Sequence, residues 1–391
     1  MLLILKKPKI DLTCSFQYNK IYCLWRITVQ FLKNFLILPF IFMTLSCSNG
    51  TGGKSQSPVK VTLRIHAWNG YVLEYVDAFK KFALSEHGLD VEVIYSSTSG
   101  YESHIENIRA GSKADVISPS SDYIVHLMKE GLIVPVDTSR LKNFNQINPA
   151  ILETGCYLID GTVYAVPFNF GPYAIAYNRD KVPEPKSYQI LWDKKYRKRV
   201  SIPGDYDTIN IYMTALMLKI PAKGIFNLTG TQLAAVELKL RELCVYQVKE
   251  FWIENLNPDS YNDIDIGMDW GIGVNKINQK YRGNWGFVIP EEGATGWIDA
   301  WSITKNAVEY NVLMAAYVWI DFMISAQVQA QMARVTSYGP VNPYAGRYLS
   351  AEEKKMYYLS YPDFVKKIIL WQPLKPEVLK RYRETWKRIR K

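Results

Sequence analysis

Residues 61–131 read VTLRIHAWNGYVLEYVDAFKKFALSEHGLDVEVIYSSTSGYESHIENIRAGSKADVISPSSDYIVHLMKEG. Residues 61–68 (VTLRIHAW) alternate apolar and polar as a half-buried strand does, and 72–84 space their apolar residues for a helix. Residues 90–95 (DVEVIY) read as a second strand, 101–110 as a helix, 114–117 (ADVI) as a third strand, and 123–130 as a helix ending at Gly131. Strand and helix in strict alternation predict a parallel sheet with covering helices, whose ligands sit at the carboxyl ends of the strands.

Beyond this stretch the pattern changes. Residues 163–177 (VYAVPFNFGPYAIAY) are extended, with Pro167, Gly171 and Pro172 inside, and a new set follows: a strand at 200–202 and helices at 209–219 and 232–244. A second extended stretch, 285–303, precedes a long helical region over 308–334. Two extended crossings between two α/β sets predict two lobes with a ligand cleft between them and hinges at 163–177 and 285–303. The expected division is 61–165 with 304–345 as the first lobe, 166–303 as the second, and 346–391 as a C-terminal helical segment. Near the chain end Leu379, Tyr382, Trp386 and Ile389 recur at helical spacing between basic residues. That pattern suits a helix packed on the body with a solvated basic face; the other reading is a membrane-binding or nucleic-acid-binding helix.

At 391 residues the chain has room for two or three cores. Apolar residues at 48% and charged residues at 21% exclude a disordered or collagen-like chain. The 11 Trp and 27 Tyr point to rings used at a surface as well as in a core. The net charge of +10 is confined to the ends. Residues 1–46 hold 6 Lys/Arg against 1 Asp/Glu, and 366–391 hold 10 against 2, so the body, with 31 against 34, is slightly acidic. Nucleic acid is therefore not an expected partner.

Residues 35–45 (FLILPFIFMTL) are an apolar run too short for a comfortable span and suited to a signal-peptide core. The run ends at Leu45-Ser46-Cys47, then a polar tether over 47–60. This resembles a bacterial lipoprotein signal, with Thr44 where the usual pattern has Leu. It implies lipidation of Cys47, removal of 1–46 and attachment to the cytoplasmic membrane by acyl chains. The stretch before Lys33 is long for a leader, which leaves the assigned start open.

Catalytic chemistry leaves no trace. None of His66, His87, His104 and His126 is spaced for a metal, and there is no nucleophile elbow, phosphate loop or dinucleotide fingerprint. No cofactor is expected, and an enzyme on this fold would need an acid–base pair that the sequence does not offer.

What stands out is a ring beside a carboxylate or amide, repeated: Trp68-Asn69-Gly70-Tyr71, Ser120-Ser121-Asp122-Tyr123, Asp205-Tyr206-Asp207, Asp269-Trp270, Trp297-Ile298-Asp299 and Trp371-Gln372. In a strand Trp297 and Asp299 share one face. An indole next to a carboxylate suits an organic ammonium, since the ring attracts the cation by about 0.5–2 kcal/mol and the acid neutralises it. Asp299 is costly to bury without a partner, whereas Asp207 can also be read as a helix cap, and Trp68 and Trp270 as core.

These segments carry a resemblance. With W-x-x-Y from Trp68, P-S-S-D-Y from Pro119, K-E-G-L-I from Lys129, Y-A-V-P-F from Tyr164, G-M-D-W from Gly267, I-P-E-E-G-A-T-G-W-I-D from Ile289, S-Y-G-P-V-N from Ser337 and W-Q at Trp371, the chain resembles the spermidine/putrescine-binding proteins of bacterial polyamine ABC importers, from about Val61 to Gln372. The resemblance implies a two-lobed periplasmic binding protein of type II, a monomer, that hands a polyamine to a membrane permease. It further implies an aromatic box of Trp68, Tyr71, Tyr123, Trp270, Trp297 and Tyr338. Asp299 and Asp207 would meet ammonium groups, and Asn69, Ser121 and Gln372 would hydrogen-bond the ligand. Ser120 and Asp122 stand as alternatives to Ser121 and Tyr123. The resemblance puts a second acid where this chain has Asn210, so that either Asp122 or Asp269 compensates, or the ligand is shorter or bound less tightly. Another organic cation or small solute is the alternative cargo.

Overall fold

The computed structural model describes residues 57–97 and 101–391. The leader expected over 1–46 and the lipidation site Cys47 lie outside the described residues. The first strand, β1 (Val59–His66), buries Val61, Leu63 and Ile65 and exposes Arg64, as its alternation requires. Strands β2 (Leu89–Ser96) and β3 (Val116–Ile117) pair with β1 in parallel, one on each side. The Val76–His87 helix between β1 and β2 sinks Phe79 and Ala83 into the core. It stops at Gly88, whose φ of 63° lies in the left-handed region that costs glycine nothing.

The remaining strands complete two larger sheets. A small hairpin, β4 (Leu158–Ile159) and β5 (Thr162–Val163), precedes β6 (Val166–Pro172) and β7 (Ala174–Asn178). Then come β8 (Val200–Pro203), β9 (Val248–Trp252), β10 (Ile266–Asp269), β11 (Trp285–Val288), β12 (Ala294–Ile303), β13 (Gly339–Pro340) and β14 (Ile368–Leu370). The first sheet runs β13-β6-β12-β3-β1-β2, with β14 also on β12; the second runs β11-β7-β10-β8-β9. Helices cover both, so the chain forms two α/β lobes.

The lobe boundary needs one correction. Strands β6 and β12, placed by sequence in the second lobe, hydrogen-bond to each other in the first sheet, with Trp297 opposite Gly171. The chain changes sheets at Tyr173, between β6 and β7, and again between β11 and β12. Extended stretches look alike in sequence; which sheet they join depends on the partner edge. The helical region over 308–334 is likewise two helices, Tyr310–Met323 and Ala326–Thr336, meeting at 71°. Ser325 breaks them apart: its backbone is extended and its hydroxyl donates to the Phe322 carbonyl at 2.6 Å.

The C-terminal segment ties the lobes together. Strand β14 lies beside β12, and the final Pro376–Arg390 helix packs on the second lobe. There the Tyr382 hydroxyl accepts from the Leu228 amide and donates to the Ile225 carbonyl, each at 2.8 Å. Its apolar stripe is buried while Lys380, Lys387 and Arg388 face solvent, as the packed-helix reading expects.

Candidate functional site

Strand β12 supplies the floor of a cleft of about 240 Å³ between the lobes. Asp299 is 3% exposed. The Tyr71 hydroxyl donates to its Oδ2 and the Ser120 hydroxyl to its Oδ1, both at 2.5 Å. Tyr71 stands just after β1 and Ser120 just after β3, so the carboxyl ends of two parallel strands aim at one acid. Burial pushes the Asp299 carboxyl up to about 7, against the lowering effect of those two hydroxyls. Opposite Asp299/Ala300 the register of β6 slips, a bulge of the kind found beside binding sites.

Rings form the walls. Trp297, two residues before Asp299, lies 5.3 Å from Trp270, 5.8 Å from Trp371 and 5.0 Å from Tyr338, centroid to centroid. Tyr206 adds another ring 5.0 Å from Trp270. Three of these four pairs meet edge to face, a preferred arrangement of aromatic rings. The Trp297 indole is oriented by its N–H, which donates to Asn169 Oδ1 at 3.2 Å. It fits only because residue 171 is glycine: a Cβ there would stand 2.7 Å from the ring. Gly171→Ala is therefore expected to cost about 1–3 kcal/mol of stability and to weaken ligand binding together with it, read by thermal denaturation and calorimetry. Unchanged values for both would show that the indole is free to shift.

Trp270 is positioned from below. Asp269 is fully buried and accepts the amides of Leu256, Gly271 and Val274 at 3.2, 2.9 and 3.1 Å. This anchors the start of the Ile272–Tyr281 helix and leaves Asp269 unfit to compensate for a missing acid. Asn210 is also structural: Tyr173 donates to its Oδ1 at 2.7 Å, and its amide donates to the Pro203 carbonyl at 2.9 Å.

Of the residues expected from sequence, Trp68, Asn69, Tyr71, Trp270, Trp297, Asp299 and Tyr338 line the cleft. Four do not. Ser121 is buried and does not line the cleft, whereas Ser120, its alternative, donates to Asp299. Tyr123 and Asp122 face a second cavity, beneath the C-terminal helix. Asp207 turns to Arg383, with Oδ2 3.4 Å from Nε. Gln372 is exposed and donates to the Leu370 carbonyl at 3.1 Å, while its neighbour Trp371 enters the cleft. In the segments 120–123, 205–207 and 371–372 it is a neighbouring residue, Ser120, Tyr206 and Trp371, that lines the cleft. Glu254, Glu74 and Lys276 at the mouth were missed outright; no motif surrounds them.

The sequence profile of the bacterial extracellular solute-binding proteins matches residues 74–356. The chain belongs to that family. It is a solute-binding protein and not an enzyme. It is 28% identical over 310 residues to the spermidine/putrescine-binding periplasmic protein of Escherichia coli (strain K12), covering 77% of this chain and 83% of that one. A putrescine-binding periplasmic protein of Pseudomonas aeruginosa is 23% identical over 354 residues, covering 82% and 92%. Among solved structures, a putative spermidine/putrescine ABC transporter protein from Listeria monocytogenes superposes with a TM-score of 0.70 at 20% identity, covering 84% of this chain and 98% of that one. The last likeness shows the fold, the two-lobed periplasmic binding protein.

Proposed function

We propose that this chain is the extracytoplasmic binding component of an ABC importer, that it takes a polyamine such as putrescine or spermidine into the cleft, and that it delivers it to a membrane permease. The observation that carries the reading is Asp299: a carboxylate 3% exposed, held by two hydroxyls and, among the described residues, bonded to no protein cation, at the foot of an aromatic wall. A buried acid of this kind is complementary to an ammonium, and the rings to its methylenes. Among the described residues of the lining, the acids Asp299, Glu254 and Glu74 outnumber the base Lys276, which favours a ligand with more than one positive charge. The polyamine-binding relatives from Escherichia coli and Pseudomonas aeruginosa support the same substrate class. Anchoring through Cys47, a periplasmic location and a monomeric state belong to the same proposal.

Calorimetry of the mature chain with putrescine and spermidine tests it; binding of neither would overturn it. The pH dependence is a sharper check. Asp299 holds its proton in the free protein up to about pH 7, and an ammonium ligand needs it ionised. Affinity is therefore expected to be level above about pH 7 and to fall about tenfold per unit below it, with close to one proton released on binding there. The sign for the free fold is opposite to that of a paired carboxylate. Its carboxyl is raised in the folded state, so ionisation costs stability as pH climbs from the ordinary carboxylate range to about 7. Titrations in two buffers of different ionisation enthalpy read the proton count; a count of zero at pH 6 would contradict the role given to Asp299.

A further inference from the structure

A flexible diamine bound at one end by Asp299 needs a second acid, and the acids expected from sequence are all engaged elsewhere. Asp207 lies against Arg383, Asp122 faces the second cavity, Asp269 is saturated by backbone amides, and position 210 is Asn, bonded to Tyr173. Asp205 lies outside the cleft lining and accepts the Glu254 amide at 3.3 Å. Among the described residues that leaves two acids in the lining besides Asp299: Glu74, on the exposed rim of the first lobe, and Glu254, on the loop after β9 in the second.

Glu254 is built into the site. Its carbonyl accepts the indole N–H of Trp270 at 2.8 Å, which ties the residue to the ring. Its backbone sits at φ 67°, a left-handed conformation that a non-glycine residue adopts only when its surroundings hold it there. Its Oε1 accepts the side-chain amide of Asn69 at 3.0 Å, across the cleft from the first lobe. The Asn69 amide is itself oriented, because the hydroxyls of Tyr95 and Ser97 donate to its Oδ1 at 3.1 and 2.9 Å and turn its NH2 toward the acid. The Trp270 ring, bonded to Glu254, meets the ring of Trp297, which stands two residues before Asp299 on β12.

We infer that Glu254 is the second acid of the cleft, meeting the ammonium at the far end of the ligand from Asp299, and that it selects solutes charged at both ends over those charged at one. The inference rests on the polyamine reading. Where the resemblance implies a second acid, on the helix that begins at Ile209, this chain has Asn210; the Trp270 contact and the left-handed backbone hold Glu254 on its loop instead.

The test compares putrescine with pentylamine, which replaces one ammonium by a methyl group, by calorimetry at pH 8. The wild type is expected to prefer putrescine, and Glu254→Gln to narrow that preference by about tenfold or more, the size of one charge pair. Glu254→Gly, relieved of the left-handed strain, should give the same narrowing in a chain at least as heat-stable. An equal loss for both ligands would make Glu254 a closure contact to Asn69 and overturn the inference, as would an unchanged preference in both variants. Either result leaves the polyamine reading standing if the wild type binds putrescine; absence of binding to the wild type overturns that reading and this inference with it.

Discussion

Asp299→Asn is expected to lower the affinity for putrescine and spermidine by about 2–5 kcal/mol, roughly thirtyfold to several thousandfold, because one partner of a buried charge pair is removed while the ammonium must still leave water. The free protein should not suffer. An amide still accepts from Tyr71 or Ser120, and the cost of ionising a carboxyl that is 3% exposed disappears. At pH 8 the unliganded variant is therefore expected to melt at or above the wild-type temperature, and its residual affinity should lose the fall below pH 7. Lost binding with a lowered melting temperature would mean that Asp299 holds the fold rather than the ligand. Unchanged binding would remove it from the site.

Trp297→Ala is expected to act on both properties at once. The indole is 4% exposed and wedged among Trp270, Tyr338 and Trp371, so truncation opens a cavity at a cost of about 3–5 kcal/mol in stability. The cation loses one π-face and the floor of the cleft loses its cover, for a further drop in affinity of about tenfold. Trp297→Phe separates the two effects. It keeps a ring in the gap left by Gly171 and loses the bond to Asn169, so it should recover most of the affinity and part of the stability. If Phe binds no better than Ala, the indole N–H rather than the π-face is what matters.

The two lobes were legible because sheet and helix leave periodic marks. The alternation in 61–68 and 90–95 and the apolar spacing of 72–84 correspond to β1, β2 and the helix that covers them. The pairing of Trp297 with Asp299 on one face was legible for the same reason: a strand repeats every two residues whatever it packs against. Register inside short loops was not. Ser120 and Ser121 are both Ser, and only the bridge from Ser120 to Asp299 on a strand almost 180 residues away distinguishes them. Trp371 and Gln372 differ by the same single step, set by where β14 docks on β12.

What the chain settled by itself, then, is local: the order of strands and helices, the buried indole and acid on β12, the charge gathered at the ends. The fate of each acid was decided in three dimensions. Asp207 met Arg383 from a helix 176 positions later, Asp269 met the amides of two segments, and Glu254 met Asn69 from the other lobe. A carboxylate's role follows from which donor reaches it first, and that donor is placed by long-range packing, which no spacing along the chain records.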